Sequence, residues 1–213
     1  MGCGKDCREA CVTEETDLPK LRGREEEMRL RNILAALAGG TAYAAPTALY
    51  LPTPNGVTEA DAVFIHPSGI YIFECKHMTG AVSGKLRDRM WTKTGDGRVL
   101  SFPNPVLQNR RHADAAAAFF ETGRENCFSC IVFNDACDIS RVETGAERIW
   151  KTGMVREGLT PLMQKTVFSA AELGRIIRKA QKAAASADKY AETHAAGIRE
   201  AKQRKKNEKK KGR

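Results

Sequence analysis

No apolar run in this 213-residue chain approaches the roughly 20 residues of a membrane span, so no transmembrane helix is expected. The N-terminus also lacks the apolar core of a secretory signal. Met1-Gly2 opens like a myristoylation site, but Asp6 stands where that site needs Ser or Thr. These absences point to a cytoplasmic protein without a membrane partner. No internal repeat is present. The seven cysteines form neither an even disulfide set nor a complete zinc pattern, and in a reducing compartment they read as free thiols. Cys3, Cys7 and Cys11 recur every four residues and could line one helix face, a spacing that matches no common zinc site. Cys127 and Cys130 have zinc-like spacing without a second pair close by, and read as small buried residues entering a strand.

What is present is length enough for one domain with a full core, plus appendages. The formal charge of +9 is unevenly placed. From Arg199 to Arg213 there are nine Lys and Arg against two Glu, a net of +7, which leaves only +2 for the rest. Such a tail is either a nucleic-acid arm or a solvated end.

The stretch from Asp61 to Lys76 holds two apolar, β-branched and aromatic runs, residues 60–66 and 69–76, joined at His66-Pro67-Ser68-Gly69. Pro67 suits the second position of a type I turn and Gly69 the last, which predicts a β-hairpin. Alternation puts Asp61, Val63 and Ile65 on one face, and Ile70, Ile72, Glu74 and Lys76 on one face of the partner strand. If the hairpin closes symmetrically, Ile65 faces Ile70, Val63 faces Ile72, and Asp61 faces Glu74. A bulge at Gly69 would instead shift the register and throw Asp61 to the other face. Two carboxylates about 5 Å apart at Cβ repel. A divalent cation between them removes that cost, and Mg²⁺ favours such oxygen ligands. Lys76 points the same way and could hold or activate a bound water. Two acids and a lysine around a hard metal are what phosphodiester hydrolysis needs.

Asp61 followed by Glu74-Cys75-Lys76 resembles the split Asp…(Asp/Glu)-x-Lys signature of the restriction-endonuclease-like nucleases. More narrowly, the chain resembles the nuclease-related domain, NERD. Glu27 on an early helix, Asp61, Glu74-x-Lys76, Gly80, Trp91 and Asn104-Pro105-x-x-Gln108-Asn109-x-x-His112 carry the likeness, with Ile131-Val132-Phe133 as the following strand. It covers about residues 20–135. The resemblance implies an α/β fold in which a central mixed sheet is flanked by helices, and a Mg²⁺- or Mn²⁺-dependent nuclease acting on nucleic acid, DNA above all. In it Asp61, Glu74 and the backbone carbonyl of Cys75 would bind the metal. Lys76 would position or deprotonate the attacking water, and Glu27 and Gln108 would complete the site. Gly23 is present but Glu26 replaces a second glycine of the family's helix start, so the third acid could be Glu26 instead. The alternative reading is a non-catalytic nucleic-acid-binding module that keeps the fold.

Residues 1–19 read as a flexible cysteine-bearing segment, 20–165 as the nuclease-like domain, and 166–213 as an alanine-rich helix with a basic tail. A helix from Lys20 carries Leu30, Ile33, Leu34 and Leu37 on one stripe and stops at Gly39-Gly40. Glu27 shares that stripe; Glu25 and Glu26 suit the helix dipole. Residues 41–51 read as a strand and 52–56 as a turn. Residues 77–102 read as a glycine-rich, charged segment in which Trp91 packs on the core or stacks on a base. Lys85, Arg87, Arg89 and Lys93 around it could meet phosphates. Asn104-Pro105 starts a second helix, where Gln108 and His112 share a face and Asn109, Arg110 and Arg111 are lesser phosphate contacts. Cys130 to Phe133 is a buried strand, and Ile149-Trp150 begins another. Leu173, Ile176 and Ile177 dock a helix that starts at Ser169. Removing Glu74 or Lys76 should abolish cleavage and leave thermal stability nearly unchanged. Deleting 199–213 should flatten the log–log salt dependence of duplex binding by about six units if all seven net charges neutralise phosphates. An unchanged slope, read by anisotropy at several salt concentrations, would show the tail to be idle.

Overall fold

A computed structural model describes residues 6–191, with side chains from residue 21 on. The chain runs α1 (Asp6–Ala38), β1 (Tyr43–Ala44), β2 (Leu49–Thr53), β3 (Gly56–Ala60), β4 (Ala62–His66), β5 (Gly69–Lys76), β6 (Gly80–Gly84), β7 (Met90–Gly95) and β8 (Arg98–Pro103). It continues through α2 (Pro105–Phe120), β9 (Cys127–Phe133), β10 (Cys137–Val142), β11 (Arg148–Lys151), α3 (Val155–Leu159) and α4 (Ala170–Ala185). The main sheet has the order β1-β4-β5-β9-β11. β1, β4 and β5 pair antiparallel, whereas β5, β9 and β11 pair parallel. It is a mixed sheet, as expected.

Alternation along the hairpin builds two cores. Val63, Ile65, Ile70 and Ile72 pack beneath Ala113, Ala116 and Phe120 of α2 and Leu173 and Ile176 of α4. Ala62, Phe64, Tyr71 and Phe73 pack beneath Leu30 and Leu34 of α1 and Val155 and Leu159 of α3. Helices therefore cover both faces, and the central strands are buried along most of their length, as a parallel centre requires. Asn104 caps α2, its side chain accepting from the Val106 and Leu107 amides. Ser169 and Glu172 form a capping box on α4. The thiols of Cys127 and Cys130 are buried and free; burial pushes that of Cys127 up to about 12.

Several boundaries differ from those expected. The first helix extends back to Asp6 instead of starting at Lys20, so residues 6–19 have a helical backbone. Residues 1–5 and the side chains of Cys7 and Cys11 lie outside the described residues, as does the basic tail. The strand expected over 41–51 is two, β1 and β2, and β2 continues to Thr53 to form a tight ribbon with β3. Most of the segment 77–102 is strand. β6, β7 and β8 join β10 in a second sheet of order β10-β6-β7-β8. These strands escape a reading by hydrophobic period because few of their residues face inward. Val82 and Trp91 are the fully buried ones. Trp91 is core, packed against Phe102 and donating from Nε1 to the Lys85 carbonyl at 2.9 Å. Glycine is required beside it, since a Cβ on Gly84 would lie 2.2 Å from its ring.

The turn between β4 and β5 is held by a polar network. Ser68 N donates to His66 Nδ1 at 3.1 Å, and Ser68 Oγ lies 2.8 Å from both His66 Nδ1 and the Tyr71 hydroxyl. The Pro67 carbonyl accepts from the amides of Val167 and Phe168, which ties the turn to the approach of α4. His66 Nδ1 must be unprotonated to accept, and burial lowers the pKa of the ring below its usual 6.5. The unfolded chain then takes up its proton first as pH falls. The stabilising contribution is complete above 6.5 and lost as pH falls through the folded value. Thermal denaturation should show this loss in the wild type and a smaller one in His66→Gln; parallel pH profiles would remove His66 from the account.

Candidate active site

The end of β5 supplies Glu74 and Lys76 to the face covered by α2, which presents Gln108 and His112 one turn apart. The hairpin register puts Val63 opposite Ile72 and Ala62 opposite Phe73, without a bulge. Asp61 occupies the bend just before β4. Its Oδ2 accepts from the Cys75 amide at 2.7 Å. The symmetric closure therefore holds, and the regular ladder stops one residue short of Asp61.

Glu74 is only 2 % exposed. Its Oε1 pairs directly with Lys76 Nζ, which lies 3.5 Å from Gln108 Oε1. Its Oε2 stands 3.3 Å from His112 Nε2. Neither of those two atoms has a partner at proper hydrogen-bond geometry. His112 is held on its other side by Thr58, with Nδ1 2.8 Å from Oγ1. Burial works to raise the pKa of Glu74, but contact with His112 and the Lys76 ammonium outweigh it, and the carboxyl stays below its ordinary range. Asp61 goes the other way. Burial, then the charge of Glu74, push it well above its ordinary value. The facing acids are thus pushed in opposite directions, Asp61 up and Glu74 down.

Glu27 reaches the same region from the opposite face of the sheet. Arg31 joins it to Asp61, with Nη2 3.5 Å from Glu27 Oε2 and Nη1 donating to the Asp61 carbonyl at 2.7 Å. Burial raises the pKa of Glu27 against the pull of Arg31. Glu26 is engaged elsewhere, accepting from Thr152 Oγ1 at 3.0 Å and pairing with Arg29 at 3.6 Å. Glu27, not Glu26, is the acid beside Asp61. Arg31 was missed in the sequence, although its i,i+4 spacing from Glu27 is a readable sign. Thr58 carried none, since only the folded ribbon brings it to His112.

Two expectations change. Asn109 is fully buried and contacts no surface ligand. Its Nδ2 donates to the carbonyls of Ile72 and Cys130 and to Ser129 Oγ, at 2.8–3.0 Å, bracing α2 against β5 and β9. Arg110 is paired with Glu147. Substitution of Glu74 or Lys76 also cannot be neutral for stability. Removing one partner of a buried ion pair leaves an uncompensated charge or a hole, typically about 3–5 kcal/mol.

Among the described residues, no three His, Cys, Asp or Glu side chains gather as a metal-ligand group. A cation would rest on two carboxylates and other oxygens, a donor set suited to Mg²⁺. The buried, unpartnered Glu74 Oε2 is the atom that such an ion would satisfy. Among the described residues, no helix is long and apolar enough to cross a membrane.

The family pattern of the nuclease-related domain (NERD) matches residues 22–134, just over half of the chain, and spans Glu27, Asp61, Glu74, Lys76, Gln108 and His112. An uncharacterized protein of Bacillus anthracis is 26% identical over 125 residues, which cover 59% of this chain and 58% of that protein. No solved structure matches the chain at a significant level.

The raised pKa of Asp61 has a thermodynamic consequence. At pH below 3.8 the acid is protonated whether folded or not, and folding carries no penalty. As pH rises through the folded value, ionising Asp61 beside Glu74 destabilises the native state. Asp61→Asn keeps an acceptor for the Cys75 amide and removes the charge. Without metal, its melting temperature at pH 8 should exceed that of the wild type, with the gap closing towards pH 4. Equal melting temperatures at pH 8 would refute the upward push on Asp61.

Proposed function

Because the chain belongs to the nuclease-related domain family, we propose that it is a metal-dependent nuclease that hydrolyses phosphodiester bonds of nucleic acid, DNA in the first place. The observation that carries this reading is the Glu74 carboxylate, buried with one oxygen on Lys76 and the other, 3.3 Å from His112, without a partner at hydrogen-bond geometry. Asp61, Glu74 and the Cys75 carbonyl would hold Mg²⁺ or Mn²⁺. When bound, the cation supplies Lewis-acid stabilisation of charge on the phosphate. The chain's own groups do the rest. Lys76, between Glu74 Oε1 and Gln108 Oε1, positions the attacking water and stabilises the negative charge that develops on the phosphate. Gln108 orients that amine. Glu27, tied through Arg31 to Asp61, adds a third acid at the edge of the site.

A non-catalytic binding module is the second reading. The direct Lys76–Glu74 pair favours it, since this neutralises the site without a cation. Mg²⁺ calorimetry separates the two, because a silent site has no need of the ion. The purified protein should nick or degrade DNA with Mg²⁺ or Mn²⁺. Glu74→Gln and Lys76→Met should each lower the rate by roughly 10³-fold, the several kcal/mol expected of charge stabilisation at a hydrolytic metal site. Circular dichroism checks that both variants remain folded. A wild type that cleaves neither DNA nor RNA with either cation would end the catalytic proposal.

A further inference from the structure

The β2–β3 ribbon and the C-terminal ends of α2 and α4 enclose a separate cavity of about 300 Å³, lined by Tyr50, Val57, Phe119, Lys179, Lys182 and Tyr190, among others. None of these residues is in the cleavage site proposed above. Two elements nevertheless connect the sites. Phe119 lies on α2 eleven residues beyond Gln108, roughly 16 Å along the axis. On the ribbon, Val57 lines the cavity and the next residue, Thr58, reaches His112.

The lining combines aromatic rings with ammonium groups, and the Glu59 carboxylate adjoins it, accepting from the Tyr50 hydroxyl at 3.1 Å. Lys179 stands 5.1 Å from the centre of the Phe119 ring and is also tethered to Glu121 at 2.7 Å. Tyr190 is 41% exposed. The basic stretch of net charge +7 begins at Arg199, nine residues after Tyr190 in the sequence. Exposed rings that accept stacked bases, flanked by cations that follow a phosphate chain, hold single strands with little regard to sequence. A duplex keeps its base faces stacked on one another and cannot offer them.

We propose that this cavity binds a single-stranded stretch of nucleic acid that flanks the phosphate held at Glu74 and Lys76. The placement of that phosphate rests on the nuclease reading; the binding itself does not. Anisotropy of a labelled oligothymidylate, and of a duplex of the same length, in EDTA tests it on the full chain. Tyr190→Ala should raise the Kd for the single strand about tenfold, the loss of one stacked base. Lys182→Ala should flatten the log–log salt slope by about 0.7. Duplex affinity should not change, and melting temperatures should match the wild type. With Mg²⁺, Tyr190→Ala should raise KM for a single-stranded substrate and leave kcat unaltered. Unchanged single-strand affinity in both variants, or equal weakening for the duplex, would overturn the proposal. So would tighter binding by Tyr190→Ala, which would mean that the protein's own chain covers the cavity. If Tyr190-dependent binding persists but nothing is cleaved, the nuclease reading fails and this one stands. Cleavage of single strands unaffected by either substitution gives the reverse.

Discussion

A carboxylate at 2 % exposure is expensive to keep, and the arrangement around Glu74 answers that one cost. Lys76 neutralises it from two residues along the same strand, His112 approaches its other oxygen from α2, and Thr58 holds His112 from the β2–β3 ribbon. Three elements distant in sequence are thereby committed to one acidic group. That second oxygen is left without a partner at proper hydrogen-bond geometry, although His112 stands 3.3 Å from it.

The hairpin makes the convergence possible. Its alternation sends Val63, Ile65, Ile70 and Ile72 into the layer under α2 and Phe64, Tyr71 and Phe73 into the layer under α1. At its open end the same alternation releases Glu74 and Lys76 to the α2 side, while Cys75 turns to the α1 side and its amide holds Asp61. The acid on α1 is then joined around the sheet by Arg31. Asn109 completes the scaffold by fastening α2 to the carbonyls of the two central parallel strands.

Where a local pattern and a tertiary demand coincide, the chain is readable in advance. The register of the β4–β5 hairpin followed from Pro67, Gly69 and the period of two, and the capped start of α2 from Asn104-Pro105. Gln108 and His112 shared a face by helical spacing alone. The second sheet was illegible for the opposite reason. Its strands are short and exposed along much of their length, and their inward side chains, Val82 and Trp91, find a core only with Val106 and Phe133 from other elements.

By itself the sequence determined the two periodicities, the turns that separate them, and which side chains could share a face. Those are properties of neighbours along one chain. Tertiary structure alone decided that Asn109 is a brace and not a contact, that Arg31 links Glu27 to Asp61 and Thr58 holds His112, and that burial and charge push the two acids in opposite directions. Each of these depends on burial and on partners twenty or more residues away or across a strand pair, where desolvation and a single neighbouring charge outweigh any local preference.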